Sequence, residues 1–276
     1  MHNEYNNISV KGISKHNRVL LDLLNREIKA PFTALEASQI LKIDISKARR
    51  LLSYWTLRGW LARVKRGLYI TVPLGAINPA QWKEDPWIVA SKIFKPCYIG
   101  GWSACEYWGL TDQIFRDVVV FTSCKVRHRR NEIQGTVYIV RSIRKDKFFG
   151  TKPVWRGQYK ILVSDINRTL VDILNEPYLG GGIRNVADIL LEYYDREDKD
   201  EKQLIEYILK MKNGTIFKRL GYLIETLGIN APDIVEVCKN NITSGFSLLD
   251  PNLPRRGKIL RRWNLCVNAI IEKERK

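Results

Sequence analysis

The side chains best suited to covalent chemistry lie in a glycine-rich segment, residues 98–110. Ser103 follows Gly100 and Gly101 there, but the G-x-S-x-G pattern of a nucleophile elbow is absent. The two glycines also lack the Gly-Lys-Ser/Thr that completes a phosphate-binding loop. We therefore interpret Ser103 as the N-cap of a helix, because Glu106 three residues later would complete a capping box. The aromatic residues of this segment are predicted to pack in a core: Trp102, Tyr107 and Trp108.

Acidic triplets that match fragments of nuclease sites occur at three places. A metal-dependent nuclease carries its Glu-x-Lys on a strand, whereas these triplets lie at a helix end, in a charged connection and in the last three residues. Asp198-Lys199-Asp200 matches the Asp-x-Asp of nucleotidyltransferases, but that Mg²⁺ chemistry needs both carboxylates on a strand. We therefore expect no catalytic residues and no enzymatic activity. The triplets are residues 27–29, 197–199 and 274–276.

Cysteines and histidines are the candidate metal ligands and disulfide partners. The cysteines are odd in number, no Cys-x-x-Cys occurs, and the histidines lie far apart. We expect no metal site, no cofactor and no disulfide framework, and we interpret the cysteines as reduced and mostly buried. These residues are Cys97, Cys105, Cys124, Cys238 and Cys266, with His2, His16 and His128.

An excess of positive charge limits the kinds of binding partner that we expect. Lys and Arg total 46 against 29 Asp and Glu, a formal charge of +17, which disfavours a compact state unless a polyanion is near. Residues 1–95 carry 16 basic and 7 acidic side chains, whereas residues 176–276 carry 17 and 15. No apolar run approaches the ~18–20 residues of a membrane span. The N-terminus also lacks the pattern of a secretory signal. We therefore expect nucleic acid as the partner, no membrane, and a cytoplasmic location.

The pattern of apolar residues predicts three helices and a hairpin between residues 14 and 73. The first helix, residues 14–28, places four apolar side chains on one face. Thr33 and Glu36 form a capping box that begins the second helix, and Asp44 caps the third, which Gly59 ends. Residues 60–73 form two β-type runs around a basic, Gly-containing turn. This order of elements is that of a winged helix-turn-helix.

The third helix would present its polar face to DNA. Ala48, Leu51, Leu52 and Trp55 recur at helical spacing and face inward, so the basic side chains between them face outward. A recognition helix reads base edges in the major groove, where Arg binds guanine with two hydrogen bonds. The hairpin turn would lie along the phosphate backbone or in the minor groove, where it contributes affinity more than sequence choice. The predicted DNA-binding residues are Thr33, Ser46, Lys47, Arg49, Arg50, Tyr54, Arg63, Lys65 and Arg66.

Two other interpretations stay open at this point. The helix and turn could be an ordinary solvated basic surface. Winged helices also serve as protein-interaction modules, and a basic surface could bind RNA.

The rest of the chain predicts a mixed α/β domain with a helical C-terminal part. A turn-rich linker places the domain boundary near residue 80, so residues 1–80 form the first domain and 81–276 the second. A helix is expected from Trp87 to Phe94, closed by Pro96, and Ser164 or Asp165 caps another that ends near Leu174. After about residue 183 the chain is predicted to be helical. The predicted strands are 117–122, 136–141 and 159–163, and the later helices are 184–195, 200–211, 215–227 and 232–240. The predicted fold class is α+β.

Two further basic clusters are candidates for a second contact with a polyanion. The first lies on a predicted loop between strands, where a solvated loop is the alternative. The second lies near the end of the sequence and would be either a second polyanion contact or a docking surface for an acidic partner. The clusters are Arg127, Arg129 and Arg130, and Arg255, Arg256, Lys258, Arg261 and Arg262.

Three segments of the chain match the pattern of one family: residues 66–73, residues 98–111, and residues 165–175 followed by Pro177 and residues 180–183. They resemble the AbiEi family of antitoxin regulators from type IV toxin–antitoxin (abortive infection) systems. With the N-terminal elements, the resemblance spans residues 14 to about 185.

The resemblance implies a transcriptional autorepressor that binds inverted repeats of double-stranded DNA in its own promoter. It also implies an antitoxin that counters a co-encoded nucleotidyltransferase toxin, with the antitoxin activity in the C-terminal domain. Arg49, Arg50, Lys65 and Arg66 match the family's recognition helix and wing by position, so the resemblance implies a DNA-binding role for them. It assigns no residue to the antitoxin role.

Overall fold

The computed structural model describes residues 13–28, 30–73, 76 and 82–271. Of the described residues, 47% are helical and 20% lie in strands of three sheets, so the fold is α+β, as predicted. The chain divides into two compact units. The domain boundary predicted near residue 80 lies outside the described residues. The first unit comprises Met1–Ile93, Glu132–Thr136 and Trp155–Lys160, and the second comprises Phe94–Asn131, Val137–Val154 and Ile161–Lys276.

The N-terminal part of the first unit contains the three helices and the hairpin in the predicted order. A short strand before the second helix pairs antiparallel with the second hairpin strand, Phe32 opposite Tyr69. The hairpin turn contains Gly67, whose φ of +78° lies in the left-handed region that favours glycine. The elements are α1 (Lys15–Glu27), β1 (Phe32–Thr33), α2 (Ala34–Leu41), α3 (Ile45–Leu57), β2 (Leu61–Lys65) and β3 (Leu68–Thr71), and α4 (Pro86–Ile93) follows.

A small hydrophobic core holds these elements together. Trp55 of α3 and Leu24 of α1 are fully buried, and they pack with Phe32, Leu52 and Leu61. The inward orientation predicted for Ala48, Leu52 and Trp55 is confirmed, and Leu51 is half-buried. Because the core takes one face of α3, the opposite face is left to solvent.

A capping box begins α2, as predicted. The Thr33 hydroxyl accepts a hydrogen bond from the Glu36 backbone N–H at 3.3 Å, and the Glu36 carboxylate accepts one from the Thr33 backbone N–H at 2.7 Å. The Thr33 hydroxyl also donates to Glu36 at 2.9 Å. Lys92 of α4 forms an ion pair with the same carboxylate. Thr33 therefore has a structural role whether or not it contacts a ligand.

Thr33→Ala is expected to destabilise α2 by about 1 kcal/mol, the usual effect of losing a side-chain cap. Hydrogen exchange of the α2 backbone amides measures this, because local opening exposes the same N–H groups. Thr33→Ser keeps the hydroxyl and should exchange like the wild type. Equal protection of α2 in Thr33→Ala and the wild type would contradict the assignment.

The second unit contains most of a six-stranded mixed sheet, in the order β6-β7-β5-β4-β9-β8. Strands β5 and β7 run parallel, as do β4 and β9, whereas β4 and β5 are antiparallel. The strands are β4 (Cys97–Ile99), β5 (Val118–Thr122), β6 (Arg130–Ile133), β7 (Thr136–Ser142), β8 (Thr151–Arg156) and β9 (Tyr159–Ser164). The three predicted strands correspond to β5, β7 and β9.

The described residues of the second unit also contain six α-helices and a small sheet. The small sheet, within residues 247–267, contradicts the prediction that the chain is helical after about residue 183, because its short strands pair with one another. The four predicted late helices are confirmed within about two residues at each end. The helices are α5 (Gly101–Tyr107), α6 (Ile166–Asn175), α7 (Ile183–Asp195), α8 (Glu201–Met211), α9 (Gly214–Leu227) and α10 (Pro232–Asn241). The small sheet contains β10 (Ser247–Leu248), β11 (Lys258–Leu260) and β12 (Leu265–Val267).

The interpretation of Ser103 as an N-cap is wrong. Helix α5 begins after Gly100, and Ser103 lies buried inside the helix, where its hydroxyl accepts a hydrogen bond from the Val119 N–H at 3.1 Å. The chain turns from β4 into α5 at Gly101, whose φ is +54° and where a Cβ would come within 2.7 Å of the Leu179 carbonyl oxygen. The glycine that the turn requires therefore sets the start of the helix.

The predicted core aromatics of this segment divide into three cases. Trp102 is buried, Trp108 is half-buried, and Tyr107 is 41% exposed, so the prediction is wrong for Tyr107. Three of the five cysteines are buried, while Cys97 is half-buried and Cys124 exposed.

A buried ion pair on α6 joins the helix to the sheet. Arg168 Nε donates to Asp172 Oδ1 at 3.0 Å, and Arg168 Nη2 donates to the Tyr98 hydroxyl at 2.8 Å. That hydroxyl in turn donates to Asp172 Oδ2 at 3.0 Å. Arg168 Nη1 donates to the Lys147 carbonyl oxygen at 2.8 Å, so all three nitrogens of the fully buried guanidinium are engaged.

Burial and mutual attraction both shift the pKa values of Arg168 and Asp172. Burial raises the pKa of Asp172 to about 6, because loss of solvent outweighs the attraction of Arg168. Burial lowers the pKa of Arg168, but Asp172 and Tyr98 oppose it and leave that pKa above its ordinary value. The pKa values of both groups are thus shifted upward, that of Asp172 by burial and that of Arg168 by its neighbours. The segment 165–175 that carries the family resemblance thus contains a structural network.

A second buried cation attaches the small sheet to the helices. Arg219 of α9 donates to the carbonyl oxygens of Leu174 and Asn175, each at 2.8 Å, and to those of Leu248 and Leu249 at 3.1 and 3.0 Å. These contacts join the end of α6 to β10. Hydrogen bonds to four carbonyl oxygens offset the loss of solvent around this buried cation, which forms no ion pair in the described part of the chain.

Candidate nucleic-acid interface

The first turn of α3 presents basic side chains to solvent. Asp44 caps the helix, and its carboxylate accepts hydrogen bonds from the N–H groups of Ser46 and Lys47 at 2.7 and 3.3 Å. These hydrogen bonds lower the pKa of Asp44 below its ordinary value. The predicted residues Ser46, Lys47, Arg49 and Arg50 are all exposed. The cap at Asp44 fixes where α3 begins, and the buried residues of α3 fix which of its faces is exposed.

Tyr54 extends the exposed face of α3 by about one turn. Its side chain is 39% exposed and lies edge-on to Trp60, with ring centroids 6.0 Å apart. The Arg58 guanidinium lies over the Tyr54 ring at 5.2 Å. Two neighbours thus hold Tyr54 at the surface.

The β2–β3 hairpin exposes a second group of cations. Lys65 and Arg66 directly precede Gly67 at the turn, and all three residues are exposed. The pairing register shifts between Arg63 and Lys65, which bends the strand before the turn. The exposed Arg63 lies over the ring of Tyr69 at 5.6 Å, a contact that positions its guanidinium.

The charge of this region is uncompensated. Residues 45–71 contain seven basic residues and no acidic one. Among the described residues, none forms an ion pair with any of the following: Lys47, Arg49, Arg50, Lys65 and Arg66. Such a surface attracts an anion because no internal carboxylate competes for the cations.

Sequence reasoning missed two cations close to these residues. Lys42 is exposed in the turn between α2 and α3, where its φ of 52° places it in the left-handed region. Arg58 is half-buried against Tyr54. The sequence signal that could have identified Lys42 and Arg58 is their position, in the turn between α2 and α3 and at the end of α3.

The two other basic clusters both lie in the second unit and are partly paired. Arg127 and Arg129 are exposed on the loop after β5, whereas Arg130 begins β6 and pairs with Asp117 at 3.1 Å. In the second cluster Arg262 binds Glu225 through Nε at 2.9 and 3.0 Å. Four side chains of that cluster are exposed without an ion pair in the described part of the chain: Arg255, Arg256, Lys258 and Arg261.

Two general properties complete the description of the site. Within residues 13–28, 30–73, 76 and 82–271, no three His, Cys, Asp or Glu side chains are grouped to hold a metal ion. No helix in the described part of the chain has the length and apolar character needed to cross a membrane.

No protein-family model matches the sequence, and a search of characterised proteins gives no significant match.

Proposed function

We propose that residues 15–71 form a winged helix-turn-helix that binds double-stranded DNA. In this proposal α2 and α3 are the helix-turn-helix, α3 is the recognition helix, and the β2–β3 hairpin is the wing. The order of three helices and a hairpin, packed on one small core, supports this assignment. The protein then acts by binding, not by catalysis.

One observation carries the proposal: α3 presents Lys47, Arg49 and Arg50 to solvent in a stretch free of acidic residues. A helix fits the major groove, and an arginine there can make two hydrogen bonds to the O6 and N7 of guanine. The exposed cations of the hairpin, Lys65 and Arg66, suit phosphate contacts, which contribute affinity with little sequence choice. We therefore assign sequence selection to α3 and general affinity to the hairpin.

We further propose that the DNA is the protein's own promoter and that the second unit provides an antitoxin activity. The support is the AbiEi resemblance of residues 66–73, 98–111, and 165–175 with Pro177 and 180–183. The partner in that role is a co-encoded nucleotidyltransferase toxin. The segments 98–111 and 165–175 contain most of β4 and the helices α5 and α6, and six of their side chains lie in the main hydrophobic core of the second unit. We therefore assign the antitoxin role to the second unit.

Binding of the wild type to the upstream promoter duplex, a random duplex of equal length and a single-stranded RNA tests the DNA assignment. We expect tighter binding to the promoter duplex, because base contacts distinguish specific from non-specific sites. Equal, weak binding to both duplexes would refute the proposal and indicate a protein-interaction module. Preference for the RNA would indicate an RNA-binding surface.

The hairpin assignment predicts a change in salt dependence. Each phosphate contact contributes about −0.9 to the slope of log affinity against log salt concentration. The double variant Lys65→Ala, Arg66→Ala should therefore have a slope about 1.8 units less steep. Its affinity for the promoter duplex and for the random duplex should fall by the same factor. A matched control is Arg144→Ala with Lys145→Ala, an exposed consecutive basic pair outside the proposed site. An unchanged slope in the hairpin variant, or an equal change of slope in the control, would show that the hairpin does not contact the DNA phosphates.

A further inference from the structure

A cavity of about 430 Å³ lies in the second unit, outside the proposed DNA-binding elements. Three connections contribute to its walls: the one between α5 and β5, the one between α6 and α7, and the one after β10. Its volume falls in the range of roughly 300–1,000 Å³ that is typical of small-molecule sites. Residues that carry the argument are Trp102, Phe115, Arg116, Tyr178 and Asp250.

Aromatic rings form one wall of the cavity. Trp102 and Phe115 stack with centroids 5.0 Å apart and an interplanar angle of 12°. Tyr178 meets Trp102 edge-on, at 5.8 Å and 75°, and is 41% exposed. The Trp102 indole N–H donates to the Asp117 carbonyl oxygen at 2.6 Å, which fixes the ring. Ring faces arranged in this way suit a planar aromatic ligand, because aromatic pairs favour stacked and edge-on geometries.

The opposite side of the cavity is preorganised by glycines and a buried carboxylate. Gly181 and Gly182 have φ values of +86° and +95°, so side chains are disfavoured there and the backbone itself lines the cavity. Asp250 is buried and accepts hydrogen bonds from the Ile183 N–H at 3.0 Å and the Asn252 N–H at 2.9 Å. These contacts hold the cavity in shape without a ligand.

The lining of the cavity contains one basic residue, Arg116, and two acidic ones. Arg116 is exposed and, among the described residues, makes no ion pair. The two carboxylates are engaged elsewhere, since Asp117 is paired with Arg130 and Asp250 accepts hydrogen bonds from backbone N–H groups. A guanidinium that lines an aromatic cavity suits a phosphate or carboxylate, which it can bind with two parallel hydrogen bonds.

We propose that this cavity binds a nucleoside monophosphate, a planar aromatic ring that carries an anionic group. The base packs against the exposed ring of Tyr178, which contacts the buried Trp102, and Arg116 binds the phosphate. This site is independent of the DNA-binding proposal, because none of its residues lies in residues 15–71. It also explains why segments 98–111 and 177–182, which have no place in the DNA interface, converge at one surface.

Isothermal titration of the full chain with AMP, UMP, adenosine and inorganic phosphate tests the proposal. We expect saturable binding of one AMP or UMP per chain. Tyr178→Ala should weaken it about tenfold, the scale of one lost base–aromatic stack. Arg116→Ala should weaken the monophosphates about tenfold and leave adenosine unchanged, because it removes a charge-assisted contact. Adenosine carries the base without the phosphate, so its binding separates recognition of the base from recognition of the phosphate.

Two exposed residues outside the cavity provide matched controls. Tyr107 has the same 41% exposure as Tyr178, and Arg144 is exposed, as Arg116 is. Tyr107→Ala and Arg144→Ala should bind AMP like the wild type. Absence of saturable binding for both AMP and UMP would overturn the proposal, as would binding that Tyr178→Ala and Arg116→Ala leave unchanged.

Discussion

Replacing both Arg49 and Arg50 with alanine is expected to remove most of the protein's preference for its promoter over random DNA. Each bidentate arginine–guanine contact discriminates by about 1–3 kcal/mol, so the pair accounts for a loss of roughly 2–6 kcal/mol in specificity. Both side chains are exposed and make no ion pair in the described part of the chain, so their removal leaves the core of the first unit intact. The variant should fold normally and bind random duplex almost as well as the wild type.

Competition binding measures this effect directly, with labelled promoter duplex and increasing unlabelled promoter or random competitor at fixed salt. The single variants divide the effect: each should lose about 1–3 kcal/mol of specificity and keep most of its affinity for random duplex. Arg144→Ala with Lys145→Ala matches the charge change on exposed residues elsewhere. If the double variant keeps the promoter preference of the wild type, α3 is not the recognition helix.

Arg168→Met is expected to lower the free energy of unfolding by about 3–5 kcal/mol, the usual effect of removing one partner of a buried ion pair. The substitution keeps much of the side-chain volume but leaves the Asp172 carboxylate buried, with only the Tyr98 hydroxyl as a partner among the contacts described. It also leaves the Lys147 carbonyl oxygen without its donor. Urea denaturation followed by circular dichroism measures the loss.

A combined variant distinguishes a lost partner from a damaged core. Arg168→Met with Asp172→Leu and Tyr98→Phe removes the whole polar network, and apolar replacement of a buried ion pair is often close to neutral. We therefore expect this variant to recover most of the stability lost in Arg168→Met. The control is Arg144→Met, which breaks the exposed pair with Asp146 and should change stability by less than about 1 kcal/mol. A single variant as stable as the wild type, or a combined variant no better than the single one, would contradict this account.

The elements with long apolar periodicity were predictable from sequence because periodicity is a local property. The helices α1, α3 and α7–α10 each repeat apolar residues over ten residues or more, and their bounds agree with the prediction to within a few residues. The caps at Thr33 and Asp44 were predictable for the same reason, since each cap bonds to residues two or three positions later. The same local pattern predicts which face of α3 carries the exposed cations.

The elements that periodicity missed are short or lie at sheet edges. Strand β6 contains three polar residues and a single apolar one, and β8 contains Pro153, so the sequence of neither strand alternates between apolar and polar residues. Strands β10–β12 contain two or three residues each, which is too few for any period to appear. Ser103 was misassigned because its partner, the Val119 N–H, is 16 residues away, while Glu106 is only three.

The sequence alone determined the class of elements, the basic character of residues 45–71 and the exposed face of α3, because each depends on neighbours within a few positions. Tertiary structure alone decided which polar groups are buried and paired. Arg168 reaches Tyr98 across 70 residues, and Arg219 reaches carbonyl groups 29 to 45 residues away. The cavity likewise combines Trp102, Tyr178 and Asp250 from three distant segments. Such contacts depend on how the chain returns to itself, and no local pattern in the sequence encodes that return.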